Sequence, residues 1–252
     1  MQRTASKKSK PRLGTPFTIL FLSWSFVSAA EIEITLNNSF IEAYRDRTCI
    51  EVPFIVDRAH EKANPPSKDG DLHIAGRAAP VGLATVAEIM NAKFEPEALA
   101  TIHEVEGSNQ PVAISGAWRI WCEHAGNSQH VQGEPLAPFD STNPDHVFEI
   151  HPVTKLKEQS LLDSLKPIKG FRTKEAYDAF MRYENLDCQI ITDANTTTII
   201  TKGAGYNYVE FVLELNTDEQ QVMEDGRGLL CNVRDIEGEL VVRKCRIVFV
   251  KD

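Results

Sequence analysis

The sequence predicts a mainly β protein: a five-stranded OB-like barrel with one helix, plus a second small β (α+β) domain. Three observations predict it. Short runs alternate apolar and polar residues with a period of two. One helical pattern interrupts them after the third barrel run. A polar stretch ending in Lys166-Pro167 and Lys169-Gly170 then separates this block from a second series of short runs.

A lead-in spans residues 31–47, with a short strand at Ile32 to Leu36. In the next run Ile50, Val52, Phe54 and Val56 alternate with Glu51, Pro53, Ile55 and Asp57, as on a strand with one face in a core. Pro53 marks an edge or a bulge. Residues 60–70 form a loop dense in turn formers (Asn64-Pro65-Pro66-Ser67-Lys68-Asp69-Gly70). A second strand follows at Asp71 to Arg77 and a third at Ala84 to Met90. Pro96 opens a helix in the place proline favours, with Glu95 and Glu97 beside its positive end; Ala98, Leu99, Ile102 and Val105 form its apolar stripe. The fourth strand is Val112 to Glu123 and the fifth Val147 to Leu156, joined by a long polar loop. Three strands, a helix and two strands is the element order of the oligonucleotide/oligosaccharide-binding (OB) barrel.

Residues 31–156 are thus read as the barrel domain, 157–170 as a linker and 171–252 as the second β-rich domain. The latter opens with a helix at Thr173 to Glu184. Strands follow at Cys188–Thr192, Thr196–Thr201, Tyr208–Leu215, Gly228–Asp235 and Leu240–Val250, the last two flanking a hairpin signal at Ile236-Glu237-Gly238-Glu239.

Residues 1–30 read as a secretory signal peptide. Arg3, Lys7, Lys8, Lys10 and Arg12 precede an apolar run from Phe17 to Val27, and the small residues Ser28, Ala29 and Ala30 follow. That run is short for a span of about 20 residues, so no stable membrane span is expected after cleavage. The expected location is periplasmic or extracellular. Removing the five leader cations leaves 22 basic against 36 acidic side chains, a net charge of −14. Such a surface repels phosphate backbones and disfavours nucleic acid as a partner. Five cysteines in an oxidising compartment permit disulfides; Cys231 and Cys245, about equally far from the hairpin turn, are the candidate pair, with Cys188 an equal partner for either, or they are two ordinary strand cysteines.

Histidine placement carries the chemistry. Six of the seven histidines (His60, His73, His124, His130, His146 and His151) fall in or beside the loops joining strands one to two and four to five, which share one rim of the predicted barrel. Asp71 and His73 share one strand face; Glu149 and His151 share another. Two carboxylate–imidazole pairs suit a divalent cation such as zinc, or an acid and a base. They equally suit buried hydrogen-bonded histidines that fix barrel closure. The candidate metal set is Asp71, His73, Glu149 and His151. Asp69, which alternatively only shapes its turn, and Trp121, a stacking platform facing away from the core or an aromatic covered by the second domain, complete the candidate binding residues. The nucleophile elbow, the His-Glu-x-x-His motif and the phosphate loop are all missing from the sequence, so no catalytic residues are assigned.

Asp69-Gly70-Asp71-Leu72-His73 early and Phe148-Glu149-Ile150-His151-Pro152-Val153 late resemble a pattern in uncharacterised exported bacterial proteins that show Asp-Gly-Asp-x-His and Glu-x-His-Pro-Val. The match covers roughly residues 48–156 by element order. The resemblance implies an OB-type barrel and export, with Asp69, Asp71, His73, Glu149 and His151 as marker positions. The element order is also similar to staphylococcal-type nucleases. Arg58 and Arg77 lie near suitable loops, but the nuclease's catalytic run is not recognisable. The expected function is a non-enzymatic exported binding or interaction protein for a small molecule, glycan or protein. The alternative is a metal-dependent hydrolase using the same residues.

Overall fold

The computed structural model describes residues 31–126 and 129–250; the predicted leader lies outside them. In chain order the elements are β1 (Ile32–Asn37), α1 (Asn38–Tyr44), β2 (Cys49–Ala59), β3 (Leu72–Ala78), β4 (Ala84–Ile89), α2 (Pro96–Val105), β5 (Pro111–Ile120), β6 (Gln129–Val131), β7 (Phe148–Leu156) and β8 (Gln159–Ser160). Then come β9 (Lys174–Glu175), α3 (Ala176–Glu184), β10 (Cys188–Thr192), β11 (Thr196–Thr201), β12 (Val209–Glu210), β13 (Val212–Met223), β14 (Gly226–Arg234) and β15 (Leu240–Val250).

Five strands close into a barrel in the order β4-β3-β2-β5-β7. The closing contact is a parallel pairing of β4 with β7, in which Thr85 meets Phe148 and Ala87 meets Ile150. The other pairings are antiparallel. This is the strand order of an OB-type barrel, with α2 between its third and fourth strands. Phe54, Ile74, Ile114, Phe148, Ile150 and Leu156 are fully buried inside it, and each such side chain stabilises the fold by about 1.5–3 kcal/mol. Ala98 and Ile102 of α2 join this core.

The lead-in contains a helix that the sequence reading passed over. Its Phe40 packs edge-on against Trp118 and Phe148, at 5.9 and 6.0 Å between ring centroids, while Trp118 stacks on Phe148 at 5.7 Å. These rings give the short helix a tertiary anchor, which its seven residues need because isolated helices of that length are marginal.

Two glycines let the barrel coil. Gly76 lies where β2 bulges between Val56 and Arg58, and Gly116 where β5 shifts register against β7. A Cβ at Gly76 would stand 2.1 Å from the Ile55 carbonyl oxygen, and one at Gly116 would stand 2.4 Å from that of Pro152.

Outside the barrel, β1 joins a sheet of order β10-β11-β1-β6, so one sheet draws strands from before and after residues 157–170. A separate β13-β14-β15 sheet is tied to the start of β2. Its turn residue Asp225 accepts hydrogen bonds from the backbone N–H groups of Thr48 (2.6 Å) and Cys49 (2.8 Å).

The disulfide expectation is corrected here. Cys231 and Cys245 are cross-strand partners, yet all five cysteines are free thiols. A bulge follows Cys231, and Lys244 adopts φ 53°, so the ribbon bends where a disulfide would need its narrow range of Cβ geometry. Among the described residues no helix is long and apolar enough to cross a membrane.

Candidate functional site

Alternation along β3, β4 and β7 sends one set of side chains into the core and the other outward. Leu72, Ile74, Ile89, Phe148 and Ile150 are in the core. Asp71, His73, Glu88, Glu149 and His151 therefore project from the outer wall of the barrel. They are not left in water: Asp71, Glu88, Glu149 and His151 are buried, and His73 is nearly so. Part of the cover is Tyr208, whose hydroxyl donates to Asp71 Oδ2 at 2.5 Å.

His151 is the hub. Its Nε2 lies 3.2 Å from Asp71 Oδ2 and 3.3 Å from Tyr208 Oη. Its Nδ1 lies 3.2 Å from Glu88 Oε2 and 2.7 Å from Arg119 Nη2. Arg119 also donates to Glu149 Oε2 through Nη2 and, at 2.8 Å, through Nε. Glu149 Oε1 faces His146 Nε2 at 3.3 Å, and the other nitrogen of that buried ring faces the Pro144 carbonyl oxygen at 2.7 Å. Asp71 Oδ1 accepts from the Asn91 backbone N–H at 3.1 Å.

Burial and mutual charge set the protonation of this cluster. Burial pushes Glu88 up to about 7, helped by Glu149 and Asp71 and opposed by His151. Burial also disfavours the charged form of His151, but Glu88, Asp71 and Glu149 outweigh it and push the ring up to about 9. Burial would raise Glu149 too; the hydrogen bonds from His146 and His151, with the Arg119 charge, instead hold it well below the usual carboxylate range. The Arg119 contact to Nδ1 is favourable only while that nitrogen carries no proton.

The structure brings Asp71, Glu149 and His151 of the sequence-predicted set together. His73 reaches them only through Glu88, at 3.8 Å from Nε2 to Oε1. It stacks on His60 at 4.7 Å and 10°, and among the described residues its buried Nδ1 has no hydrogen-bond partner. Asp69 shapes the preceding turn, where its Oδ1 accepts from Asn64 Nδ2 (2.9 Å) and the Asp71 N–H (3.0 Å). Trp121 touches the cluster only through Arg119, 4.2 Å from its ring centroid, while its Nε1 donates to Glu123. Sequence reasoning missed Glu88, Arg119 and Tyr208 as members.

Burial, followed by the neighbouring His60, pushes His73 down to about 4. The folded value lies below the ordinary 6.5, so the unfolded chain takes up the proton first. The stability carried by a neutral His73 is complete above pH 6.5 and drains away as pH falls toward 4. A His73→Gln variant is expected to gain on the parent by up to about 3 kcal/mol across that window, read by urea denaturation at stepped pH. A constant difference between the two proteins contradicts the assignment.

Fold and site together define a class: a closed five-stranded barrel with an acid–imidazole–arginine cluster sealed against its outer wall. Compared with protein-family models, curated proteins and solved structures, the chain gives no match.

Proposed function

We propose that this is an exported binding protein, periplasmic or extracellular, whose buried cluster holds a divalent cation such as zinc. One observation carries the reading. Asp71, Glu88 and His151 each offer a ligand atom, these atoms lie within 4.8 Å of one another, and all three residues are buried. Two carboxylate oxygens and an imidazole nitrogen suit zinc or manganese, with the Tyr208 hydroxyl beside them. Charge supports it. Arg119 answers Glu149, and an ion bound to Asp71 and Glu88 would take over the charge that the His151 proton supplies without it.

The same geometry favours binding over hydrolysis. A catalytic ion keeps an open position for water, whereas a structural one is closed. Here the donors are buried and Tyr208 covers Asp71. Tyr208 thus lies against strands that in this barrel class face a ligand, and the ion would brace the 203–210 segment against the barrel wall. The leader read from the sequence supports export.

Metal analysis of purified protein is the test. About one ion per chain is expected, with a thermal midpoint that falls on chelation and recovers on adding zinc. Glu88→Gln and His151→Asn are each expected to weaken zinc binding by at least about 10-fold, the scale reported for lost support around a metal. A metal-free protein whose midpoint ignores zinc and manganese would falsify the reading.

A further inference from the structure

The protein carries a net charge of −9, yet one cleft of about 830 Å³ is lined by five cations (Lys68, Arg172, Lys174, Arg182 and Lys202) against two acids, Asp69 and Glu123. Its volume falls in the range of small-molecule sites. Some of these cations are already engaged. Lys202 pairs with Asp187 and Glu31, Arg182 Nε donates to the Ala204 carbonyl oxygen at 2.9 Å, and Lys174 lies over the Tyr206 ring at 5.0 Å. Lys68 and Arg172 form no ion pair with a described residue.

A second cleft of about 820 Å³ adjoins the first, and the two share Cys122, Gly203, Ala204 and Gly205. Its lining changes character: Ile120, Trp121, Met181, Leu186 and Ile199 dominate. The residues common to both linings are small, so the two clefts lie close together. The 203–205 loop runs beside Trp121, where a Cβ at Gly205 would stand 3.6 Å from the indole.

We infer that the two halves form one site for an amphiphilic organic anion. The acidic head, a carboxylate or a phosphate, sits against Arg172, Lys174 and Lys68. The apolar chain lies along Trp121, Met181, Leu186 and Ile199. Charge complementarity selects the head, because a cationic lining concentrates anions there against the acidic remainder of the surface. Burial of apolar surface holds the chain. None of Asp71, Glu88 and His151 lines either cleft, and Tyr208, which lines the first, is held to Asp71 by its own hydrogen bond.

Isothermal titration of the purified protein, below micelle concentrations, tests the inference with four probes: dodecyl phosphate, dodecanoate, neutral dodecyl maltoside and inorganic phosphate. Saturable binding of an anionic amphiphile is expected, with the neutral amphiphile and inorganic phosphate at least about 10-fold weaker. A preference between the two anionic probes assigns the head as phosphate or carboxylate. The exposed pair Arg172→Glu, Lys174→Glu and, separately, Met181→Asp should each weaken the favoured probe by about 10-fold or more while the thermal midpoint stays near that of the parent. Absence of saturable binding, equal affinity for dodecyl maltoside, or variants that bind like the parent overturns it. Titration of Glu88→Gln separates the two readings, since the amphiphile should still bind when the cation site is broken.

Discussion

Replacing Arg119 by methionine is expected to lower stability by about 3–5 kcal/mol, the usual consequence of stripping one partner from a buried ion pair. Glu149 is only 1% exposed, and Arg119 supplies two of its hydrogen bonds as well as a compensating charge. Without the guanidinium, a carboxylate is left in a water-poor setting with His146 and His151 as its remaining partners. The double variant Arg119→Met, Glu149→Met removes the orphaned charge along with its partner and should recover most of the loss. Urea midpoints of the parent, both single variants and the double variant give the coupling energy. A single-variant cost below about 1 kcal/mol would place the pair among solvated surface bridges and undo the account of the cluster.

Gly76→Ala is expected to be comparably damaging, at about 3 kcal/mol or more, for a steric reason alone. The new methyl group would meet backbone, at 2.1 Å from the Ile55 oxygen, and the Phe54 ring at 2.5 Å. Backbone cannot swing aside as a surface side chain can, so β2 and β3 must separate at the bulge that lets the barrel close. Gly107→Ala is the contrasting control: nothing lies within 4 Å of that added carbon, and only its φ of 68° is unfavourable. Equal midpoints for Gly76→Ala and the parent would mean that the strands tolerate a wider gap than their pairing shows.

Strand alternation made the barrel readable. The run from Ile50 to Asp57 and the opening stretch from Phe148 to His151 each keep a period of two, and the helix opening at Pro96 broke the series at one point. The same parity exposed the Asp71/His73 and Glu149/His151 faces. It did not reveal that they look outward from the wall rather than toward a rim, because alternation gives two faces without saying what covers the second. Glu88 left a local signal: the one charged residue in the Ala84-Thr85-Val86-Ala87-Glu88-Ile89 run, on a strand buried along both faces. Tyr208 left none, since it meets Asp71 from 137 positions away. The pairing of β1 with β11 was hidden for the same reason, the distance along the chain between two short, unremarkable strands.

That pairing bears on the order in which the molecule is made. Thr35 and Thr198 share a hydrogen bond across 163 positions, so β1 leaves the ribosome long before its antiparallel neighbour exists. The barrel strands are all synthesised in between. During that interval β1 offers an open hydrogen-bonding margin to any extended peptide nearby, a hazard that ends only when β11 arrives.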